Sequence, residues 1–291
     1  MRLSSFWEAL FRALGYVPKQ SNKISPESAD EASGAGERER DPLPPPDTST
    51  LEEGLDAVGL PHRIGAAFWE STVDLTDKSN VKDSSGSRRR KGVRTADDVN
   101  CLVWHQTGFT WRPWEKRKWS SHHKINAHLC IDTNGNILVL HPFFQKLWTA
   151  NGFNSSCVSI EIMGNFEGEQ GTGNWYKPEK FGYGRPTEAQ ITSARALTCV
   201  LANPGMIPDD APAAFLEWRR CKSGTSAPLT YVYAHRQSGT RGGKPTRPLD
   251  PGSEVWQKVG QWAVVHYRLS DGGDGFCLPG ALPIPESWKH A

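Results

Sequence analysis

Two histidines and an aspartate stand where this sequence can offer metal ligands. His105 closes the run CLVWHQ, His235 closes TYVYAHR, and Asp250 lies in the loop PTRPLDPG. The prolines keep that loop out of regular helix and central strand, because proline lacks an amide proton and clashes with a preceding helical turn. Two imidazoles and one carboxylate converging from different elements suit zinc and leave a fourth tetrahedral position for water, as in a catalytic rather than a structural site. Hydrogen-bonded structural histidines at strand ends would show the same residue types, and spacing alone leaves that reading open. Other donors fit a shared ion less well. Cys101 and His105 share a strand face but stand four residues, about 13 Å, apart, and the adjacent His122 and His123 point to opposite faces when extended.

The elements that must position these residues are legible as short β-rich runs bounded by turn residues: CLVWHQ, AHLCID, NILVLH, CVSIEIM and TYVYAHR. Asn134-Gly135 predicts a hairpin pairing residues 127–133 antiparallel with 136–141. In CVSIEI, Val158, Ile160 and Ile162 alternate with Cys157, Ser159 and Glu161, so one face of that strand is apolar and the other carries polar groups, the Glu161 carboxylate among them. Thr187 and Gln190 form a capping box ahead of ITSARALTCVLAN, Ser253 is a candidate cap for EVWQKVGQWAVVHYRL, and residues 63–73 suggest one further helix. The expected fold is α/β, a mixed central β-sheet flanked by helices.

Composition divides the chain of 291 residues into three parts. Residues 1–95 read as an extension: an amphipathic helix over residues 3–14, a Ser-, Glu- and Pro-rich linker from 18 to 50 expected to be disordered, and a second polar stretch ending in SRRRK, read as solvated linker rather than a site for an acidic partner. A catalytic-sized domain spans 96–270. The tail, 271–291, is Gly/Pro-rich and expected to pack against it. Thirty-four basic against 32 acidic residues leave a net charge of +2, too small to argue for nucleic acid. No run approaches the ~18 apolar residues of a membrane span. Glu8 and Arg12 interrupt any secretory core, so the protein is expected in the cytoplasm or exported by a non-classical route. The six cysteines lack a CxxC pair and read mostly as buried small hydrophobes; the twelve tryptophans suit a large core or a sugar-stacking groove.

Taken in order, Trp104-His105-Gln106-Thr107, Ala127 to Asp132 with Asn134-Gly135, Asn154, Ser159-Ile160-Glu161, Ala234-His235-Arg236 and Asp250-Pro251-Gly252 resemble the motifs of type 2 N-acetylmuramoyl-L-alanine amidases, a family that includes peptidoglycan recognition proteins and phage lysozyme-type amidases. The similarity spans roughly residues 96–268. It implies a single zinc amidase domain with Zn2+ held by His105, His235 and Asp250, and Glu161 as the carboxylate that takes a proton from water and delivers it to the leaving amine. It also implies that Thr107, His128, Trp148 and Asn154 contact substrate.

The sequence departs from the family pattern at three places. Pro248 occupies a position often held by a cation, for which Arg247, with Lys244 as runner-up, is the substitute as oxyanion partner. Thr149 replaces a histidine in the Trp148 segment. Ala127 stands where some members have tyrosine, which shifts proton transfer onto Glu161. The expected activity is zinc-dependent hydrolysis of the amide between the N-acetylmuramoyl lactyl group and L-alanine, by a monomer acting on peptidoglycan or muropeptides. A non-catalytic peptidoglycan-binding module is the alternative, and a phage lysin or secreted effector would be the same amidase in another setting.

Overall fold

The computed structural model describes residues 66–76, 90–108, 125–168, 184–224 and 229–290. The helix expected over residues 3–14, the linker of residues 18–50, and His122 and His123 lie outside them.

The centre is a six-stranded mixed sheet. Its strands are β1 (Thr72–Asp74), β3 (Cys101–Gln106), β4 (Leu129–Ile131), β5 (Ile137–Val139), β7 (Cys157–Ile162) and β8 (Tyr231–Ala234), in the order β1-β5-β4-β7-β3-β8. Strands β4, β7, β3 and β8 run parallel to one another; β5 runs antiparallel to β4, and β1 parallel to β5. All six residues of β3 are buried, as expected for a central parallel strand covered on both faces. On one face Cys101, Val103, Cys157 and Tyr233 pack with Ala150, Phe153 and the tail residues Phe276 and Leu278.

Helices flank the sheet. In α2 (Glu188–Ala202) the predicted capping box is present: Thr187 Oγ1 accepts from the Gln190 amide at 3.1 Å, and Gln190 Oε1 accepts from the Thr187 amide at 3.0 Å. Helix α3 (Ala213–Lys222) buries Phe215 and Trp218. The run expected as one helix after Ser253 is instead α4 (Ser253–Val255), a π-helical stretch over Trp256–Gln261, and α5 (Trp262–Tyr267). Its N-cap is Gly252 rather than Ser253. Gly252 has φ 102°, and a Cβ there would lie 2.7 Å from that of Phe166, so the close approach selects glycine.

Three further differences have local causes. The helix expected over 63–73 is described as α1, Ala66–Glu70, because Ser71 and Thr72 hydroxyls donate back to the Phe68 carbonyl at 2.9 and 2.8 Å and end it, a competition with the helical ladder typical of these residues. Thr72 and Val73 then enter β1, extending the sheet upstream of residue 96. The end of the polar stretch, Arg90–Val93, forms β2 and pairs antiparallel with β6 (Gln145–Leu147). The regular ladder of the hairpin is shorter than expected: Asp132 accepts from the Asn134 and Asn136 amides at 2.9 Å each, an Asx-type closure that turns the chain just beyond the Asp132 amide's 3.0 Å bond to the Asn136 carbonyl and leaves Gly135 at φ 83°.

The tail packs against the sheet as expected. Phe276 stacks on Tyr233 and Phe153, and Trp288 of α6 (Glu286–Lys289) is fully buried. All six cysteines are free; Cys101, Cys130 and Cys157 are buried, whereas Cys199, Cys221 and Cys277 are partly exposed.

Candidate metal centre

The carboxyl ends of β3, β7 and β8 converge, the place where open parallel sheets present their ligand sites. Register decides which side chains meet there. His105 pairs with Glu161 across β3–β7, so both leave the same face, while His235 follows directly on Ala234 at the end of β8.

The Pro-rich loop returns Asp250 to this point. Its Oδ1 accepts from the Gln106 amide at 2.8 Å, its Oδ2 lies 2.9 Å from His235 Nδ1, and its carbonyl accepts from the Arg236 amide at 3.0 Å. One ligand atom each from His105, His235 and Asp250 lie within 4.8 Å of one another, and the two imidazole centroids are 4.2 Å apart.

Electrostatics fit a cation at this spot. Burial, helped by mutual repulsion, lowers the His105 pKa well below its ordinary value, and burial pushes His235 down to about 3; both rings are neutral, the form that ligates metal. His105 Nε2 is buried with no hydrogen-bond partner, an arrangement that costs about 1–3 kcal/mol and that coordination would relieve. Neutral imidazoles and a carboxylate are a zinc donor set, so the residues present fit the ion.

Glu161 lies beside them. Burial first, then the Asp250 charge, raises its pKa well above the ordinary carboxylate range, and Arg247 opposes the rise. Its Oε2 is buried without a hydrogen-bond partner. Arg247 lines a pocket of roughly 470 Å3 with His235, Trp148 and Thr149. Lys244 is exposed on the short strand β10 (Lys244–Pro245) and does not line it.

Of the four residues expected to touch substrate, Trp148 alone lines this pocket, half exposed. His128 is fully buried: its Nδ1 accepts from the Ser159 amide at 3.0 Å, which places the ring proton on Nε2, 2.8 Å from the Gln145 carbonyl. It holds the start of β4 to β7 and β6 and does not line the pocket. Asn154 points inward, its Oδ1 accepting from the Thr149 and Ala150 amides at 2.8 Å each, so it shapes the rim that carries Trp148. Thr107 exchanges hydrogen bonds with Gly164, joining the ends of β3 and β7.

Two supporting residues escaped the sequence reading. Gln106 donates to the Leu249 carbonyl at 2.9 Å and accepts from the Phe166 amide, holding the Asp250 loop from below. Arg94 donates to the Asn154 carbonyl at 3.0 Å. A buried glutamine on the apolar face of CLVWHQ was a usable signal; nothing in the polar run around Arg94 pointed inward.

The family model for N-acetylmuramoyl-L-alanine amidase (type 2) matches residues 95–253. The chain belongs to this family. No curated protein matches it. Among solved structures, this amidase-family chain is similar to the N-acetylmuramoyl-L-alanine amidase LysC from Clostridium intestinale, at 16% identity over 68% of this chain and 98% of that one, with a TM-score of 0.40. It is also similar to Drosophila peptidoglycan recognition protein SA, at 15% identity over 66% and 91% of the two chains, TM-score 0.39. A third is human PGRP-IBETAC in complex with glycosamyl muramyl pentapeptide, at 12% identity over 69% and 98%, TM-score 0.40. No helix of the described residues is long and apolar enough to cross a membrane.

Proposed function

We propose that this protein is a zinc-dependent N-acetylmuramoyl-L-alanine amidase that hydrolyses the amide between the lactyl group of N-acetylmuramic acid and the L-alanine of the stem peptide. The observation that carries the reading is a complete His105–His235–Asp250 cluster with a buried carboxyl, Glu161, opposite His105.

A zinc ion held by those three side chains would supply a Lewis acid that polarises the scissile carbonyl and acidifies water at the open position. Glu161 takes the proton of the attacking water and returns it to the amide nitrogen as the carbon–nitrogen bond breaks. Its raised proton affinity suits a group that must hold a proton between those steps. Arg247 offers a permanent positive charge to the oxyanion. Asp250, fixed by the Gln106 amide, orients His235. The products are a lactyl carboxylate on the glycan and a stem peptide with a free L-alanine amine.

Mass spectrometry of digests of purified peptidoglycan and defined muropeptides tests this. The zinc-loaded protein releases stem peptides with free L-alanine termini, chelation stops the release, and added zinc restores it. Stoichiometric muropeptide binding without release would assign recognition instead.

A further inference from the structure

Arg241 and Lys244 are register partners on a two-stranded ribbon, β9 (Thr240–Arg241) with β10. The turn between them is Gly242-Gly243, with φ 57° and 72°, the paired positive values that a two-residue hairpin turn demands and glycine adopts without strain. This turn sets the register, so two cations stand directly across from each other, a pairing that destabilises a ribbon by itself. Neither forms an ion pair among the described residues.

The ribbon is held from two sides. Asn151, itself at φ 43°, donates from Nδ2 to the Ser238 and Thr240 carbonyls at 2.6 and 3.2 Å. From the tail, Gly280 packs so closely that a Cβ there would lie 2.7 Å from the carbonyl carbon of Gly243. Arg241 lines the pocket beside His235, Arg247 lines it too, and among the described residues no carboxylate does. A braced Arg241 beside Arg247, in a cavity that no carboxylate of the described residues lines, complements an anion, and Lys244 across the ribbon adds its charge from outside the pocket.

We propose that this ribbon is a subsite for a free carboxylate of the peptide ligand, with Arg241 as the selecting residue. Stem peptides that keep the carboxylate bind in preference to the same stems with it amidated. The proposal rests on reading the site as one for muropeptides. A guanidinium takes a carboxylate through two parallel N–H bonds, whereas a carboxamide brings one acceptor oxygen, no charge and two donors that face the cations unfavourably.

Stem tripeptides blocked as the C-terminal amide, L-alanyl-γ-D-glutamyl-L-lysinamide with the glutamyl α-carboxylate free or amidated, contain no lactyl amide and no other carboxylate, so calorimetry on the zinc-loaded full chain reads binding apart from turnover. The free acid is expected to bind about fivefold or more tightly at low salt, with the ratio shrinking as salt rises. In Arg241→Gln the ratio falls to about one, and in Lys244→Gln it falls part of the way. Equal or undetectable binding of both peptides by the unaltered protein, or an unchanged ratio in Arg241→Gln, overturns the subsite. Discrimination without cleavage of any muropeptide leaves the subsite standing and removes the amidase reading; cleavage without discrimination does the reverse.

Discussion

His105 and Glu161 are direct register partners on adjacent parallel strands. On the other side, Glu161 pairs with Cys130 of β4, a buried thiol that burial keeps protonated. The carboxyl therefore sits between a neutral imidazole and a neutral thiol, with Asp250 raising its proton affinity and Arg247 lowering it. Sheet register thus sets the Glu161 carboxyl beside His105, while the turn after β8 and the Pro-rich loop bring His235 and Asp250 to the same place.

Glu161→Gln keeps the shape of that side chain and removes its ability to carry a proton. We expect kcat to fall by about 10²- to 10⁴-fold, with zinc content unchanged because Glu161 lies outside the ligand cluster. Kinetics on a defined muropeptide, with metal analysis of the same sample, checks this. Loss of zinc from the variant would make Glu161 a ligand instead of a shuttle.

Zinc affinity should depend on pH through the carboxylate and not the imidazoles. In the metal-free protein burial pushes His235 down to about 3 and lowers His105 well below its ordinary value, so both imidazoles favour the neutral, metal-binding form. Asp250 is pushed up to about 6, chiefly by burial. A proton held there below pH 6 must leave before the metal binds. Affinity is thus expected to be flat above pH ~7 and to drop about tenfold per unit below pH ~6. Chelator-competition titrations across pH 5–8 measure it, and a decline already steep between pH 7 and 6.5 would assign the competing proton to the imidazoles.

The three candidate metal donors were legible because strand ends and proline-rich loops are local features, and His105, His235 and Asp250 obey them. What β7 presents on its polar face was legible from the alternation Ser159, Ile160, Glu161. Less legible are the hydrogen-bond partners that engage a polar side chain, remote in sequence for His128 and nearby for Asn154. His128 occupies a strand position that suits substrate contact, yet its ring is saturated by Ser159 and Gln145, 31 and 17 residues away. Asn154 is turned inward by amides four and five residues upstream. β1 and β2 lacked strong apolar alternation; their pairing with β5 and β6 supplies what local propensity did not.

Asn154→Ala leaves the Thr149 and Ala150 amides without their acceptor. One of them belongs to a fully buried residue, and an orphaned buried donor costs about 1–3 kcal/mol. The rim carrying Trp148 should loosen, so KM rises several-fold while kcat changes little, and thermal stability falls. Asn154→Asp keeps an acceptor oxygen and should recover most of the KM. A fall in kcat equal to the rise in KM would instead place Asn154 against the reacting atoms.

Trp288 lies 35 residues beyond the end of the family match, yet it bears on the candidate metal centre. It is fully buried, and the Arg236 guanidinium sits over its ring at 4.6 Å. Arg236 follows the candidate metal donor His235; its amide donates to the Asp250 carbonyl, and its own carbonyl accepts from the Leu282 amide, each at 3.0 Å. The tail thus clamps the peptide that joins His235 to the Asp250 carbonyl. Trp288→Ala should cost about 3–5 kcal/mol in stability from the cavity it leaves, and zinc affinity should fall as well, because a displaced Arg236 no longer holds the Asp250 carbonyl. Denaturant unfolding and zinc titration of the same variant separate the two effects. Destabilisation with unchanged zinc affinity would confine the tail to the core and exclude it from positioning the ligands.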